Sequence, residues 1–300
     1  MMQIKISTPR SFNFVRTVFS HGWSELVPFE LDQKKWRLLR VIDLPGRRPV
    51  SITICRAKGG LRIEAGEELN EAQEAAIAKA VRHMLRLDDD LKPFYAAVDG
   101  SENFEWIARE GAGRLLRSPT VFEDLVKMIC TTNCSWALTD KMVNALVRLL
   151  GSETPDGRRS FPSPEAMAAM PVAFYSNEVR AGYRAGYLKE LADQIASGAV
   201  DVEGWLTTEL ATPELKREMK KIKGVGDYAA ENVLRLVGRY DGLALDSWIR
   251  SKFSRTRNNG RTASDKKIER YYSSFGEWKG LALWCDMTRD WLDGNKAAAS

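Results

Sequence analysis

The hydrophobic pattern of this 300-residue chain changes its period once, near Asn70, and that change limits the folds open to it. Before it, apolar residues alternate. Val50-Ser51-Ile52-Thr53-Ile54 precedes a Gly59-Gly60 turn and then Leu61-Arg62-Ile63, and Arg40-Val41-Ile42-Asp43-Leu44 runs into Pro45-Gly46. Alternation punctuated by glycine and proline predicts antiparallel hairpins. After Asn70 a helical spacing takes over: Ala75, Ile77, Val81, Met84 and Leu85 lie near one face. Val121, Phe122, Leu125, Val126 and Ile129 form a second stripe, and Met142, Val143, Leu146 and Leu150 a third that ends at Gly151. Residues 152–164 read as a turn-rich linker, and further helices are predicted near 164–170, 184–197, 212–221, 227–238 and 277–291. The expected class is α+β: an antiparallel β domain with a helix over 1–97, then a mostly α-helical body over 98–300. The closing Ala297-Ala298-Ala299-Ser300 is expected to fray.

Charge and cysteine content narrow the function. Lys plus Arg number 45 and Asp plus Glu 40, a net +5 that suits one basic face. Cys55, Cys130, Cys134 and Cys285 match neither a zinc ribbon nor an iron–sulfur loop, although Cys130 and Cys134 are expected four apart on one helix. With only His21 and His83 besides, a histidine-based metal cage is not expected; buried free thiols in a reducing cytosol are. The start, MMQIKISTPRSFNF, has no apolar signal core, and no run approaches a membrane span.

The chemistry gathers in KIKGVGDYAAENV, residues 221–233. Gly224-Val225-Gly226 follows Lys220, Lys221, Ile222 and Lys223 and precedes a helix carrying Ala229, Ala230, Val233, Leu234 and Val237. Glycines let backbone amides approach a ligand, and a helix N-terminus favours anions, so a phosphate could dock there. A plain helix–helix turn flanked by solvated lysines fits the same residues. Beyond Gly238 comes Leu243-Ala244-Leu245-Asp246-Ser247-Trp248-Ile249-Arg250. Asp246 is well placed to cap a helix, or to serve as a fixed carboxylate.

Hairpin, helix, short loop and acid in this order resemble the helix-hairpin-helix (HhH-GPD) glycosylase superfamily. The N-terminal antiparallel region resembles its branch of 3-methyladenine DNA glycosylase II and 8-oxoguanine DNA glycosylase. The resemblance implies two helical subdomains with a DNA and base cleft between them. It also implies hairpin amides of Gly224, Val225 and Gly226 on a DNA phosphate. A monovalent cation at the carbonyls of Ile222 and Val225 would bridge them. Lys221 and Lys223 would add attraction; Lys223 stands where family hairpins often carry proline. Asp246 is then the catalytic residue, since breaking a base–sugar bond builds positive charge on the sugar that a fixed carboxylate offsets. No other cofactor and no iron–sulfur cluster is implied. The partner is double-stranded DNA containing a damaged base. The protein is expected to be a monomer with no membrane association, cytoplasmic and nucleoid-associated in a bacterium or nuclear in a eukaryote.

The resemblance also assigns the lesion site. Family members that cut the strand carry a lysine where this chain has Tyr228, so base release without lyase activity is expected; Lys223 is the alternative amine. Ile129-Cys130-Thr131-Thr132-Asn133-Cys134 resembles a stretch whose asparagine fills the gap left by the flipped nucleotide, here Asn133. Ala181-Gly182-Tyr183-Arg184-Ala185 resembles the segment whose Tyr-Arg pair wedges the duplex and contacts the opposite base, giving those roles to Tyr183 and Arg184. Leu283 stands in place of the glutamine that reads oxidised guanine, Met287 in place of the aromatic that stacks on it, and Leu138 in place of an arginine. These departures favour an alkylated purine, whose charge aromatic faces attract. An oxidised-guanine glycosylase with an altered pocket and a non-catalytic lesion binder stay as alternatives. Trp248, Trp278 and Trp284 are pocket aromatics or core. Arg250, Lys252, Arg255, Arg257, Arg261, Lys266, Lys267 and Arg270 form a basic stretch suited to backbone contact or to a solvated loop.

Overall fold

The computed structural model describes residues 2–292; the tail expected to fray lies outside them. Five strands form one antiparallel sheet in the order β1-β5-β4-β3-β2, with β1 Met2–Ser7, β2 Phe29–Asp32, β3 Arg37–Ile42, β4 Val50–Ala57 and β5 Gly60–Ala65. The alternation legible in β4 and β5 becomes a register in which Ile54 faces Ile63, and Ile52 faces Ala65. Leu38, Ile52, Ile54, Leu61 and Ile63 are buried. Helix α1, Glu71–Met84, starts at a capping box in which Asn70 and Gln73 bond each other's backbone, and it buries Ile77, Val81 and Met84.

The helical body follows as expected. The helices that build the site are α2 Val121–Thr131, α3 Trp136–Leu150, α4 Arg184–Ala196, α5 Thr212–Met219, α6 Asp227–Leu236, α7 Ser247–Arg257 and α8 Lys279–Thr288. The boundary drawn at 97/98 falls inside a short helix, Lys92–Val98, and the apolar core runs without a break from the sheet into the body. A buried ion network joins the two. Arg40 of β3 donates to both carboxylate oxygens of Glu123 of α2, at 2.9 and 2.6 Å, and Lys127 donates to Glu123 at 2.7 Å. Burial alone would raise the Glu123 pKa, but the two cations outweigh it and hold the carboxyl below its ordinary value. Removing one partner of such a group costs about 3–5 kcal/mol because a buried charge is left unpaired.

The turn-rich linker at 152–164 is tied down: Glu153 and Arg159 form a β-bridge, and Asp156 accepts a 2.9 Å bond from Ser51 on the sheet. Two local expectations need correction. The basic stretch after Asp246 is helical, as α7 and as Asp265–Tyr272, because Asp246 and Ser264 cap its two helices. Each presents only a narrow apolar seam, Ile249 with Phe253 and Ile268 with Tyr272, which the surrounding charges masked. Cys130 and Cys134 do not share a helix. The Thr131 and Thr132 hydroxyls bond back to Met128 and Ile129 carbonyls, α2 stops at Thr131, and Asn133 turns left-handed at φ 48°. Cys55, Cys130 and Cys285 are buried free thiols, and Cys134 is half-buried.

Candidate active site

The glycine hairpin between α5 and α6 is held by sterics. Gly224 sits at φ 91°, and a Cβ there would lie 2.7 Å from Cδ2 of Tyr187 on α4. Both facts require glycine. The Val225 amide donates to the Ile222 carbonyl at 3.0 Å, closing the turn, and both side chains are buried. Helix α6 begins at Gly226 with no side chain capping it, so its first amides remain available to an anion. The flanking lysines all have carboxylate neighbours: Lys220 pairs with Asp227 at 3.0 Å, Lys221 with Glu218 at 2.6 Å and Lys223 with Glu190 at 3.4 Å. These pairs are exposed and therefore weak, so a phosphate can compete for the lysines.

Asp246 stands at the N-terminus of α7, where its Oδ1 accepts from the Ile249 amide at 2.7 Å. It lines a groove of about 860 Å³ together with the hairpin residues Ile222 to Gly226, Tyr228, Asn133 and Tyr183. In the same groove Asn133 projects from the loop after α2, exposed, and its Nδ2 lies 3.4 Å from the Tyr183 hydroxyl. Tyr183 is 53% exposed, and its ring stacks edge-on to Tyr187 at 5.8 Å. Residues more than a hundred positions apart in sequence, Asn133 and Asp246, thus share one groove with the hairpin and Tyr183.

The groove opens into a deeper cavity of about 540 Å³, within the usual size for a small-molecule site. Thr131, Cys134 and Tyr228 line both spaces, so they form the doorway. Aromatic rings dominate the wall: Phe19, Trp23, Trp136, Trp284 and Trp291. The segment Ser20-His21-Gly22-Trp23 enters from the N-terminal region. Gly22 gives way to the Trp136 ring, which a Cβ would meet at 2.4 Å, and Trp23 Nε1 donates to the buried Asp124 at 2.7 Å. Burial raises the Asp124 pKa to about 6. Burial likewise lowers His21 to about 4, keeping the ring neutral at physiological pH. Arg235 of α6 completes the wall with its guanidinium 4.6 Å from the centre of the Trp284 ring. Desolvation, and after it the negative charge of Asp246, raises the Tyr228 pKa, so the phenol at the doorway stays protonated.

Several residues expected in the site lie elsewhere. Leu283 and Met287 are fully buried and line no part of the cavity. They are four apart on the core face of α8, while Trp284, one position on and about 100° around the helix, faces the cavity. Trp248 packs behind the wall, 6.2 Å from Trp284 and 5.7 Å from Trp291. Trp278 stacks on Tyr240 at 5.3 Å, away from the cavity. Lys252 is buried, pairs with Asp290 at 2.5 Å and sits 5.5 Å over the Trp248 ring, so it offers no charge to a phosphate. Arg257 likewise turns inward to Asp286. Arg250 is exposed but forms a two-pronged pair with Asp265 at 2.7 and 3.0 Å. Arg184 is 4% exposed, lies 4.4 Å over the Tyr183 ring and donates to the Thr132 carbonyl. It therefore shapes the loop that presents Asn133 and is not free to contact a base. The contribution of residues 19–25 and of Arg235 was not predicted. The one signal was His21-Gly22-Trp23, a glycine between two rings.

Comparison with known proteins first gives the class. The model of the HhH-GPD superfamily base excision DNA repair proteins matches residues 126–277, just over half of the chain, and the chain belongs to that family. It acts on DNA as a glycosylase or lyase of base excision repair. In particular, it is 22% identical over 272 residues to a probable N-glycosylase/DNA lyase of Methanothermobacter thermautotrophicus, covering 81% of this chain and 84% of the relative. Its fold is similar to that of the 3-methyladenine DNA glycosylase of Archaeoglobus fulgidus, with a TM-score of 0.72 and 22% identity over 97% of this chain and 99% of the other. It is equally similar to the 8-oxoguanine glycosylase/lyase of Clostridium acetobutylicum, solved with double-stranded DNA containing cytosine opposite 8-oxoguanine. That match has a TM-score of 0.73 and 17% identity over 98% and 99% of the two chains. The expected fold, sheet domain then helical body, is thereby borne out.

Proposed function

We propose that the protein is a monofunctional DNA glycosylase: it flips a damaged base out of duplex DNA, hydrolyses the base–sugar bond and leaves the strand intact. The observation that supports this reading is the shared groove, lined by Asp246, the hairpin residues, Asn133 and Tyr183. The hairpin and exposed Lys221 and Lys223 grip the backbone. Asn133 and Tyr183 enter the stack and hold the duplex open. The base passes Tyr228 into the aromatic cavity. Asp246 offsets the positive charge that grows on the sugar, and water completes the hydrolysis. A monovalent cation at the hairpin belongs to the same proposal. The Ile222 carbonyl uses one lone pair for the Val225 amide and keeps a second for an ion, and no step runs through that ion.

The absence of lyase activity rests on Tyr228. A Schiff base needs an amine at the sugar, and the doorway residue is a protonated phenol. Lys223, which precedes the first hairpin glycine and pairs with Glu190 at 3.4 Å, serves the backbone phosphate in this reading. Wild-type protein incubated with lesion duplexes is expected to yield free base and alkali-labile sites without strand nicks, and borohydride should trap no protein–DNA adduct. A trapped adduct, or nicking that keeps pace with base release, would refute the monofunctional reading.

A further inference from the structure

The cavity wall carries a cationic side chain that the reaction as described does not use. Arg235 is 4% exposed, and its Nε and Nη2 have no hydrogen-bond partner. One face of its guanidinium is covered by Trp284. A buried cation with unmade hydrogen bonds is a standing penalty on the fold, and an acceptor brought into the cavity would remove it. His21 supplies the opposite capability. The neutral ring donates Nε2–H to the Leu116 carbonyl, which leaves Nδ1 as an acceptor. The wall thus offers a fixed cationic donor and a neutral acceptor, between aromatic faces suited to a flat ring.

We propose that Arg235 is the specificity-determining residue for the base: it donates to a carbonyl oxygen, and so selects an uncharged base with a lactam edge, –NH–C(=O)–, over a cationic alkylated purine. This rests on the glycosylase reading and departs from the alkylated substrate that the sequence favours. A positively charged base would meet a guanidinium that is itself buried, where repulsion between like charges is screened less than in water. Among the described residues that line the cavity, the carboxylate is Glu25, which is exposed and accepts from Trp136 Nε1 at 3.1 Å. Glu231 and Asp246 act on Arg235 through their charge from outside that lining, and neither satisfies its Nε or Nη2, so a neutral acceptor fits there better than a cation. Undamaged guanine and thymine also carry lactam edges. Discrimination against them comes from the cost of flipping, which is lowest for mismatched or damaged bases.

The test compares wild type, Arg235→Leu and Arg235→Lys on duplexes containing hypoxanthine, uracil, 8-oxoguanine or 7-methylguanine, read as single-turnover base release. Wild type is expected to release at least one of the three uncharged lactam bases. Arg235→Leu should slow that release by about tenfold or more relative to 7-methylguanine, and Arg235→Lys should recover part of it. Loss of an unpaired buried charge should not lower the melting temperature, and the lysine variant reports on the donor should the leucine variant misfold. A second arm needs no catalysis. Free hypoxanthine and free adenine, both neutral and differing in that only hypoxanthine has the lactam edge, are titrated against protein bound to a duplex with a tetrahydrofuran abasic analogue, followed by tryptophan fluorescence. Hypoxanthine should bind more tightly to wild type and lose that advantage in Arg235→Leu. Selective binding without release from any duplex would sink the glycosylase reading and keep this inference. Release with the same lesion preference in all three proteins, or release of 7-methylguanine alone by wild type, overturns the inference and leaves the glycosylase reading standing.

Discussion

The carboxylate of Asp246 accepts a 2.7 Å hydrogen bond from the Ile249 amide, so the acid that faces the groove also caps the helix behind it. The two roles separate by substitution. Asparagine caps as well as aspartate, so Asp246→Asn should unfold within about 0.5 kcal/mol of wild type in urea. Alanine cannot cap, and Asp246→Ala should lose about 0.5–2 kcal/mol. Equal losses in the two variants would show that the carboxylate's charge, and not the cap, holds α7.

The two hairpin glycines should answer differently to alanine. Gly224→Ala forces an L residue to φ 91° and drives a methyl group against Tyr187; it should cost about 1–3 kcal/mol of stability. A Cβ on Gly226 meets nothing within 4 Å, so Gly226→Ala should change stability by less than about 1 kcal/mol. If the α6 amides hold a phosphate, that methyl group stands in its path, and binding of an abasic-analogue duplex should weaken about tenfold in a gel-shift titration. Unchanged binding by Gly226→Ala would remove the hairpin from the DNA contact.

Lys252 and Arg255 lie three residues apart and should behave as different kinds of residue. Arg255 is exposed, whereas Lys252 is buried against Asp290 and Trp248. Arg255→Gln should leave the melting temperature unchanged and reduce the salt dependence of DNA binding by about one counterion. Lys252→Gln should destabilise the fold by about 1–3 kcal/mol and leave the salt slope as it was.

Acid sensitivity should trace in part to His21. Its folded pKa of about 4 lies below the unfolded value of 6.5, so the unfolded state takes up the proton first, and stability is lost as pH falls from about 6.5 to 4. Asp124, raised to about 6, works in the opposite sense between about pH 4 and 6. The comparison is therefore made against a variant. Between pH 7 and 4.5, wild type should lose about 2–3 kcal/mol more than His21→Gln in urea unfolding. Parallel losses in the two proteins would show that His21 is not held neutral.

The fold was legible where one chemical pattern dominated a segment. Alternation marked β4 and β5, and the apolar stripes marked α2 and α3. Strands β1 and β2 were not separately visible, because β1 is half-exposed along an edge and β2 has four residues. In the site, Asp246, Asn133, Tyr183 and the hairpin carry local motifs, and the structure gathers them in one groove. The cavity wall has no such motif. A one-residue shift along α8 exchanges Met287 and Leu283 for Trp284, and sequence alone does not fix the rotation of a helix that is apolar on most sides. Arg235 was hidden for a related reason. A charged residue near the end of an amphipathic helix reads as surface, and only tertiary packing shows that it is enclosed.

The central claim, that the Asp246 carboxylate drives departure of the base, is tested most directly by single-turnover base release from a cleavable lesion duplex by wild type and Asp246→Asn. Binding to the same duplex is measured alongside. The account predicts binding within about threefold of wild type and release slowed by about 10²–10⁴-fold, since the substitution keeps the cap and removes the charge. Base release by Asp246→Asn at the wild-type rate would contradict it.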